Sequence, residues 1–163
     1  MNKALISLMM VLLFVMISCG GDDTEDTANN FPNEHDGLNW SDAASSEMTW
    51  DEAINYCETL GGRLPTISEL RTLIQDCPST ETGGECGVTD ECLSWENCWN
   101  DSCDGCESDE TNPVKYSVFG DTNWFWSSSE RSNYTGLAWY VYFPTGLVYE
   151  YSKLNHTKVR CVR

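Results

Sequence analysis

The sequence predicts an α+β domain. Two capped amphipathic helices lie between residues 49 and 74, and a run of aromatic and β-branched residues with strand alternation fills the chain from residue 124 onward. Between these halves, residues 76–112 are dense in cysteine and acid, which predicts a disulfide-rich insert rather than a third regular layer.

The elements follow in chain order. "MNKALISLMMVLLFVMISC" opens with Lys3 and an apolar run from Ala4 to Ile17. That run falls short of the roughly 20 residues a membrane-spanning helix needs and has the length of a signal-peptide core. Ser18-Cys19, with Met16 upstream, resembles a bacterial lipobox. Residues 1–18 are therefore expected to be a lipoprotein signal peptide, with Cys19 the lipidated first residue of the mature chain; ordinary cleavage nearby, giving a secreted protein, is the alternative. Gly20 after Cys19 lacks the Asp linked to inner-membrane retention. The expected location is the bacterial cell envelope, as an outer-membrane lipoprotein facing the periplasm or the exterior. Residues 19–46 are acidic, rich in Asp, Thr, Asn and Ser, and are expected to form a flexible tether whose last part, from Gly37-Leu38-Asn39-Trp40 onward, touches the domain. The domain is expected over 47–163.

In "MTWDEAINYCETLGG" Thr49 caps a helix and Glu52 closes a capping box. Trp50, Ala53, Ile54, Cys57 and Leu60 recur on one face, and Gly61-Gly62 supplies the stop. "RLPTISELRTLI" repeats the logic, with Thr66 as cap, Glu69 closing the box, and Leu70, Leu73 and Ile74 as the buried stripe. Beyond the insert, "WFWSSSE" is a strand, with the Ser127-Ser128-Ser129 run as its end and a turn. In "LAWYVYFPTGLVYEYS", Trp139, Val141 and Phe143 alternate with Tyr140 and Tyr142, and "PTG" turns the chain into "LVYEY". "KVRCVR" is expected as a short final strand, with Val159 and Cys161 on one face.

The net charge of -17 is unevenly placed. The tether and the insert carry acids and no Lys or Arg between Gln75 and Asn112, while the remaining body is near neutral. Phosphate would be repelled, so nucleic acid is excluded as a partner.

Several short motifs together resemble one family. "TWDEAINYCETLGGRLPTISEL", "FWSSSE", "AWYVYFPTGLV" and "VRCVR", in that order, are similar to the Lcl C-terminal domain family, a relative of the Fibrobacter major paralogous domain. "GGRLPT-x-x-EL" is also similar to sulfatase-modifying-factor domains. The resemblance implies a C-type-lectin-like domain that is extracellular, non-catalytic, and used in adhesion or in recognition of a glycan or protein at the cell surface. The family's association with sulfated glycans, which the resemblance also implies, fits a strongly negative chain poorly; Lys153, Lys158, Arg160 and Arg163 are the candidate basic patch, with scattered solvated charges on edge strands as the alternative. In lectin-like folds a first-helix cysteine is bridged to one in the last strand, which implies Cys57–Cys161.

Six cysteines then remain in the insert: Cys77, Cys86, Cys92, Cys98, Cys103 and Cys106. Three disulfides are expected in an oxidising compartment, in any of about 15 connectivities; zinc bound by thiolates is the alternative. Calcium is a possible cofactor, with Asp101, Asp104, Glu107 and Asp109 as candidate ligands, although "NDSCDG" lacks the bidentate Glu of an EF-hand loop. Trp95 and Trp99, four residues apart among carboxylates, are the candidate ligand-binding residues, suited to stacking on pyranose faces; packing over the insert's own disulfides is the alternative. No nucleophile elbow, zinc-protease motif or phosphate loop is present in the sequence. The expectation is a membrane-anchored binding module, with a structural envelope interaction module as the alternative and an enzyme like the sulfatase-modifying relatives as the distant one.

Overall fold

A computed structural model describes residues 29–163. The order is β1 (Asn33–His35), β2 (Leu38–Trp40), α1 (Trp50–Thr59), α2 (Ile67–Arg71), α3 (Trp95–Cys98), a 3-10 turn over Asp101–Asp104, then β3 (Trp124–Glu130), β4 (Leu137–Tyr142) and β5 (Leu147–Ser152). β1 and β2 form a hairpin, and β3-β4-β5 form an antiparallel sheet in sequence order. The domain is α+β and disulfide-rich, as expected.

Both helices start where the capping logic places them. Thr49 and Glu52 form a reciprocal box at α1, and Thr66 and Glu69 do so at α2. α2 is shorter than its hydrophobic stripe implied. It ends at Arg71, and the chain leaves through tight turns, Leu73 N–H to Leu70 O and Ile74 N–H to Arg71 O. Leu73 and Ile74 are still buried, but from an irregular segment that bridges to Ser117.

The sheet has a core on each face. On one side Trp139, Val141, Phe143, Val148 and Phe125 pack against α2 and the insert. On the other, Trp126, Ala138 and Tyr140 pack against α1 together with Phe31, Leu64, Val159 and Cys161. Ser127 to Ser129 lie within β3, at a register irregularity between Trp126 and Glu130, rather than at a strand end. There Ser127 Oγ donates to Trp139 O, and Ser129 Oγ accepts from Ile67 N–H, which ties the sheet to α2.

Residues 31–46, expected as tether, belong to the fold. Phe31, Trp40 and Ala44 are buried, and the N–H groups of Ser41 and Ala44 donate to Cys161 O and Val159 O. Asp36 and Gly37, both at positive φ, turn β1 into β2. The C-terminal segment is likewise not a regular strand. It makes isolated bridges, Phe125 with Lys158 and Val162 with both Trp40 and Arg63. Arg160 is buried there, its Nε and Nη2 each 2.8 Å from Asp121 and its Nη1 donating to Ser41 O.

Four disulfides join Cys57–Cys161, Cys77–Cys106, Cys86–Cys103 and Cys92–Cys98. The three in the insert are nested, each inside the loop of the one before. Arg71 supplies a second organising device. Its buried guanidinium donates to the carbonyls of Thr80, Glu81 and Val88, three points on the first half of the insert. Burial lowers its pKa from the ordinary arginine range, and no carboxylate among the described residues is paired with it.

Candidate binding site

Strand alternation decides which side chains share a face. Trp124 and Trp126 of β3, Tyr140 and Tyr142 of β4, and Leu147, Tyr149 and Tyr151 of β5 lie on the same side as α1. α1 covers only the β3 end of this face. Trp126 and Tyr140 are therefore buried, whereas Trp124, Tyr142, Tyr149 and Tyr151 are half-buried and open to solvent.

These rings touch one another in a continuous band. Trp124 stacks on Tyr140, with centroids 5.2 Å apart and planes within 4°, and meets Tyr142 and Tyr151 edge-on at 5.3 and 5.4 Å. Tyr140 continues the band to Tyr149 and Tyr151. Tyr149 then meets Trp95 and Trp99 edge-on at 4.9 and 5.7 Å. The expected pair thus sits at one end of an aromatic surface that the sequence reading did not assemble.

Polar tips line this band. Of the seven tryptophans, five donate their indole N–H to a backbone carbonyl: Trp40, Trp50, Trp99, Trp126 and Trp139. Trp124 and Trp95 make no such bond among the described residues. Tyr116 is the tyrosine whose hydroxyl donates to a protein acceptor there, Glu107 O at 2.7 Å. The hydroxyls of Tyr140, Tyr142, Tyr149 and Tyr151 have no protein partner among the described residues. Burial, aided by the neighbouring tyrosines, pushes the Tyr140 hydroxyl well above the ordinary tyrosine range, so it stays protonated and able to donate. At the margin, Lys153 bridges Glu130 at 2.9 Å and lies 3.8 Å from the centre of the Trp50 ring.

Trp95 and Trp99 themselves are packed. Their rings stack at 4.3 Å, and Trp95 is also nearly parallel to Trp139 at 6.2 Å. Trp99 Nε1 donates to Val148 O on the outer edge of β5. The pair therefore clamps the insert to the sheet edge, and Trp95 offers little free ring face. Beside it, Arg131 bridges Glu96 and Glu150 at 2.7 and 2.8 Å. Burial raises the Glu150 pKa, and Arg131 opposes that shift.

The candidate calcium ligands do not converge: among the described residues there is no group of three or more His, Cys, Asp or Glu side chains disposed to hold a metal ion. Asp101, Asp104 and Glu107 are exposed. Asp109 accepts from Thr111 Oγ1 at 2.7 Å and from the N–H groups of Thr111 and Asn112, which closes a local turn. The candidate basic patch does not form either. Lys153 is paired with Glu130, Lys158 donates to the carbonyls of Ala44 and Ser45, Arg160 is buried with Asp121, and Arg163 lies over Phe31. The six insert cysteines all lie in the nested disulfides, and Cys57 with Cys161 joins α1 to the C-terminal segment. Cys19 lies outside the described residues.

A concavity of about 540 Å³ lies elsewhere, between α1 and residues 46–48, and His156, Tyr56, Asn55 and Glu52 help to line it. It contains no unpaired buried group that would single it out.

No curated protein and no solved structure matches this chain. The family model described as the Lcl C-terminal domain matches residues 31–163, a span that begins at Phe31, the first buried residue of the fold. The chain belongs to the Lcl C-terminal domain family.

Proposed function

We propose that this chain is a lipid-anchored bacterial envelope protein whose domain, on a C-type-lectin-like plan, recognises a saccharide at the cell surface and serves in adhesion or recognition. The observation that carries this reading is the open aromatic band, in which Trp124, Tyr142, Tyr149 and Tyr151 present ring surface together with unpaired hydroxyl and indole groups. Rings of this kind offer apolar area to the C–H face of a pyranose, and the rim supplies donors and acceptors for its hydroxyls. The band is built on strands, so its geometry is set before any ligand arrives. The reading is one of binding, without catalysis.

A glycan array probed with the full chain in detergent micelles tests it. Saturable binding to one saccharide class, lost in Trp124→Ala and retained in Glu58→Gln on the far end of α1, supports recognition through the band. Binding to no saccharide, with one protein recovered specifically through the same face, would replace it with the alternative of an envelope interaction module.

A further inference from the structure

The reading of the band as a saccharide site leaves the ligand's charge open, and the cations of the domain bear on it. Eight of the nine Lys and Arg residues lie in the described part of the chain, and every one is engaged internally. Arg63, Arg131 and Lys153 pair with carboxylates. Arg71 and Arg160 are buried, the first among backbone carbonyls and the second against Asp121. Lys158 donates to two carbonyls, and Arg163 and Lys115 lie over aromatic rings.

Two cations stand at the margins of the band: Arg131, beside Trp95, is held by Glu96 and Glu150, and Lys153, beside Trp50, is held by Glu130 and by the Trp50 ring. A sulfate placed on the band would therefore have to take Arg131 or Lys153 from both its partners or go unpaired. It would also face the negative faces of the rings. Recognition of sulfate or phosphate calls for free guanidinium or ammonium groups, or for a long helix N-terminus. The band offers neither. What it does offer, neutral donors and acceptors around ring surface, matches a ligand that is polar and uncharged.

We infer that the aromatic band takes an uncharged hexose oligosaccharide and discriminates against its sulfated form. This departs from the sulfated glycans that the resemblance implied, and it rests on the saccharide reading above.

The test uses the full chain in detergent micelles, titrated with neutral gluco-, manno- and galacto-configured hexose oligomers and with the sulfated form of each, at low and at high salt. Tryptophan fluorescence gives the readout. The expected result is saturable binding of at least one neutral oligomer, insensitive to salt, with the sulfated counterpart weaker by about tenfold or more, which corresponds to 1.4 kcal/mol or more. Tyr151→Phe, which removes one hydroxyl and preserves the ring, should weaken neutral binding severalfold without changing the fold. Sulfated oligomers bound as tightly as neutral ones, with affinity falling as salt rises, would overturn the inference while leaving the saccharide reading in place. Preference for a cationic hexosamine oligomer would overturn it in the other direction. Binding to none of these probes, by protein whose mass shows four disulfides, would overturn both readings together.

Discussion

Removing the Cys57–Cys161 bridge is the sharpest test of how this domain is held. The two cysteines lie 104 residues apart, and both are fully buried between α1 and the C-terminal segment. The closed loop is shorter than that separation, because Cys77–Cys106 short-circuits 29 residues of it. For an effective loop of about 75 residues the chain-entropy relation predicts about 4.5 kcal/mol at 25 °C. Truncating both residues to Ala also removes two buried sulfur atoms, at about 1 kcal/mol each. The expected loss, about 5–7 kcal/mol, is a large part of the 5–15 kcal/mol that stabilises an ordinary domain. Urea unfolding of the Cys57→Ala/Cys161→Ala variant, followed by tryptophan fluorescence without reductant, should show the midpoint falling by about 2.5–3.5 M for a slope near 2 kcal/mol per M. The same relation assigns only about 2.4 kcal/mol to the short Cys92–Cys98 loop. A midpoint shift below about 0.5 M for the long bridge, or a larger shift from losing the short one, would refute the loop-closure reasoning.

Other outcomes follow from single residues. Arg71→Met should strip three carbonyls of the insert of their donor, cost about 3–5 kcal/mol, and increase hydrogen exchange across residues 80–88 more than in the sheet. Asp121→Asn should leave the buried Arg160 guanidinium without its counter-charge and cost about 3–5 kcal/mol, read as a fall in melting temperature that Arg160→Met in the same chain partly reverses. Burial works against the charge of Glu69, but its bonds to Arg63 and Thr66 outweigh this and hold its pKa below the ordinary 4.5. Its contribution is therefore present above pH 4.5 and lost as the pH falls through the folded value. Glu69→Gln should flatten the decline in melting temperature on that acid limb; an unchanged slope would count against the pairing. Trp99→Phe should break the bond to Val148 O at a cost of about 1 kcal/mol and make the insert the first region to be cleaved in limited proteolysis.

Much of the architecture was legible because its signals are local. Thr49 with Glu52 and Thr66 with Glu69 specify two helix starts through side-chain chemistry that needs no tertiary partner. The alternation of Trp139, Val141 and Phe143 with Tyr140 and Tyr142 marks a strand, and β4 is buried on both faces from Ala138 to Val141. What escaped depends on distant partners. Phe31 and Trp40 stand alone among polar residues, and their burial comes from Gly62, Val162 and the first core, which no window of sequence reveals. The Asp36-Gly37 pair was the available signal for the β1–β2 hairpin, since that dipeptide favours the positive φ both residues adopt. Cysteine spacing alone leaves about 15 pairings of the insert open, whereas the folded insert holds its nested pairs beside the Arg71 bonds and against β5. The aromatic band was half visible. Tyr140 and Tyr142 were placed opposite the core side, but the register that brings Tyr149, Tyr151 and Trp124 beside them is a property of the assembled sheet.

Both margins of the sheet are covered in part by other segments of the chain, β3 by the C-terminal segment and the start of β5 by the insert. Lys158 exchanges backbone hydrogen bonds with Trp124 and Trp126 along β3. Along β5, Trp99 occupies Val148 O and Cys106 N–H occupies Thr145 O. At high local concentration this matters, since a bare strand margin is a template for pairing with a neighbouring copy. A neighbouring copy finds the ladder interrupted at both margins, so the domain can stay dispersed when concentrated while the aromatic face of its sheet is left uncovered.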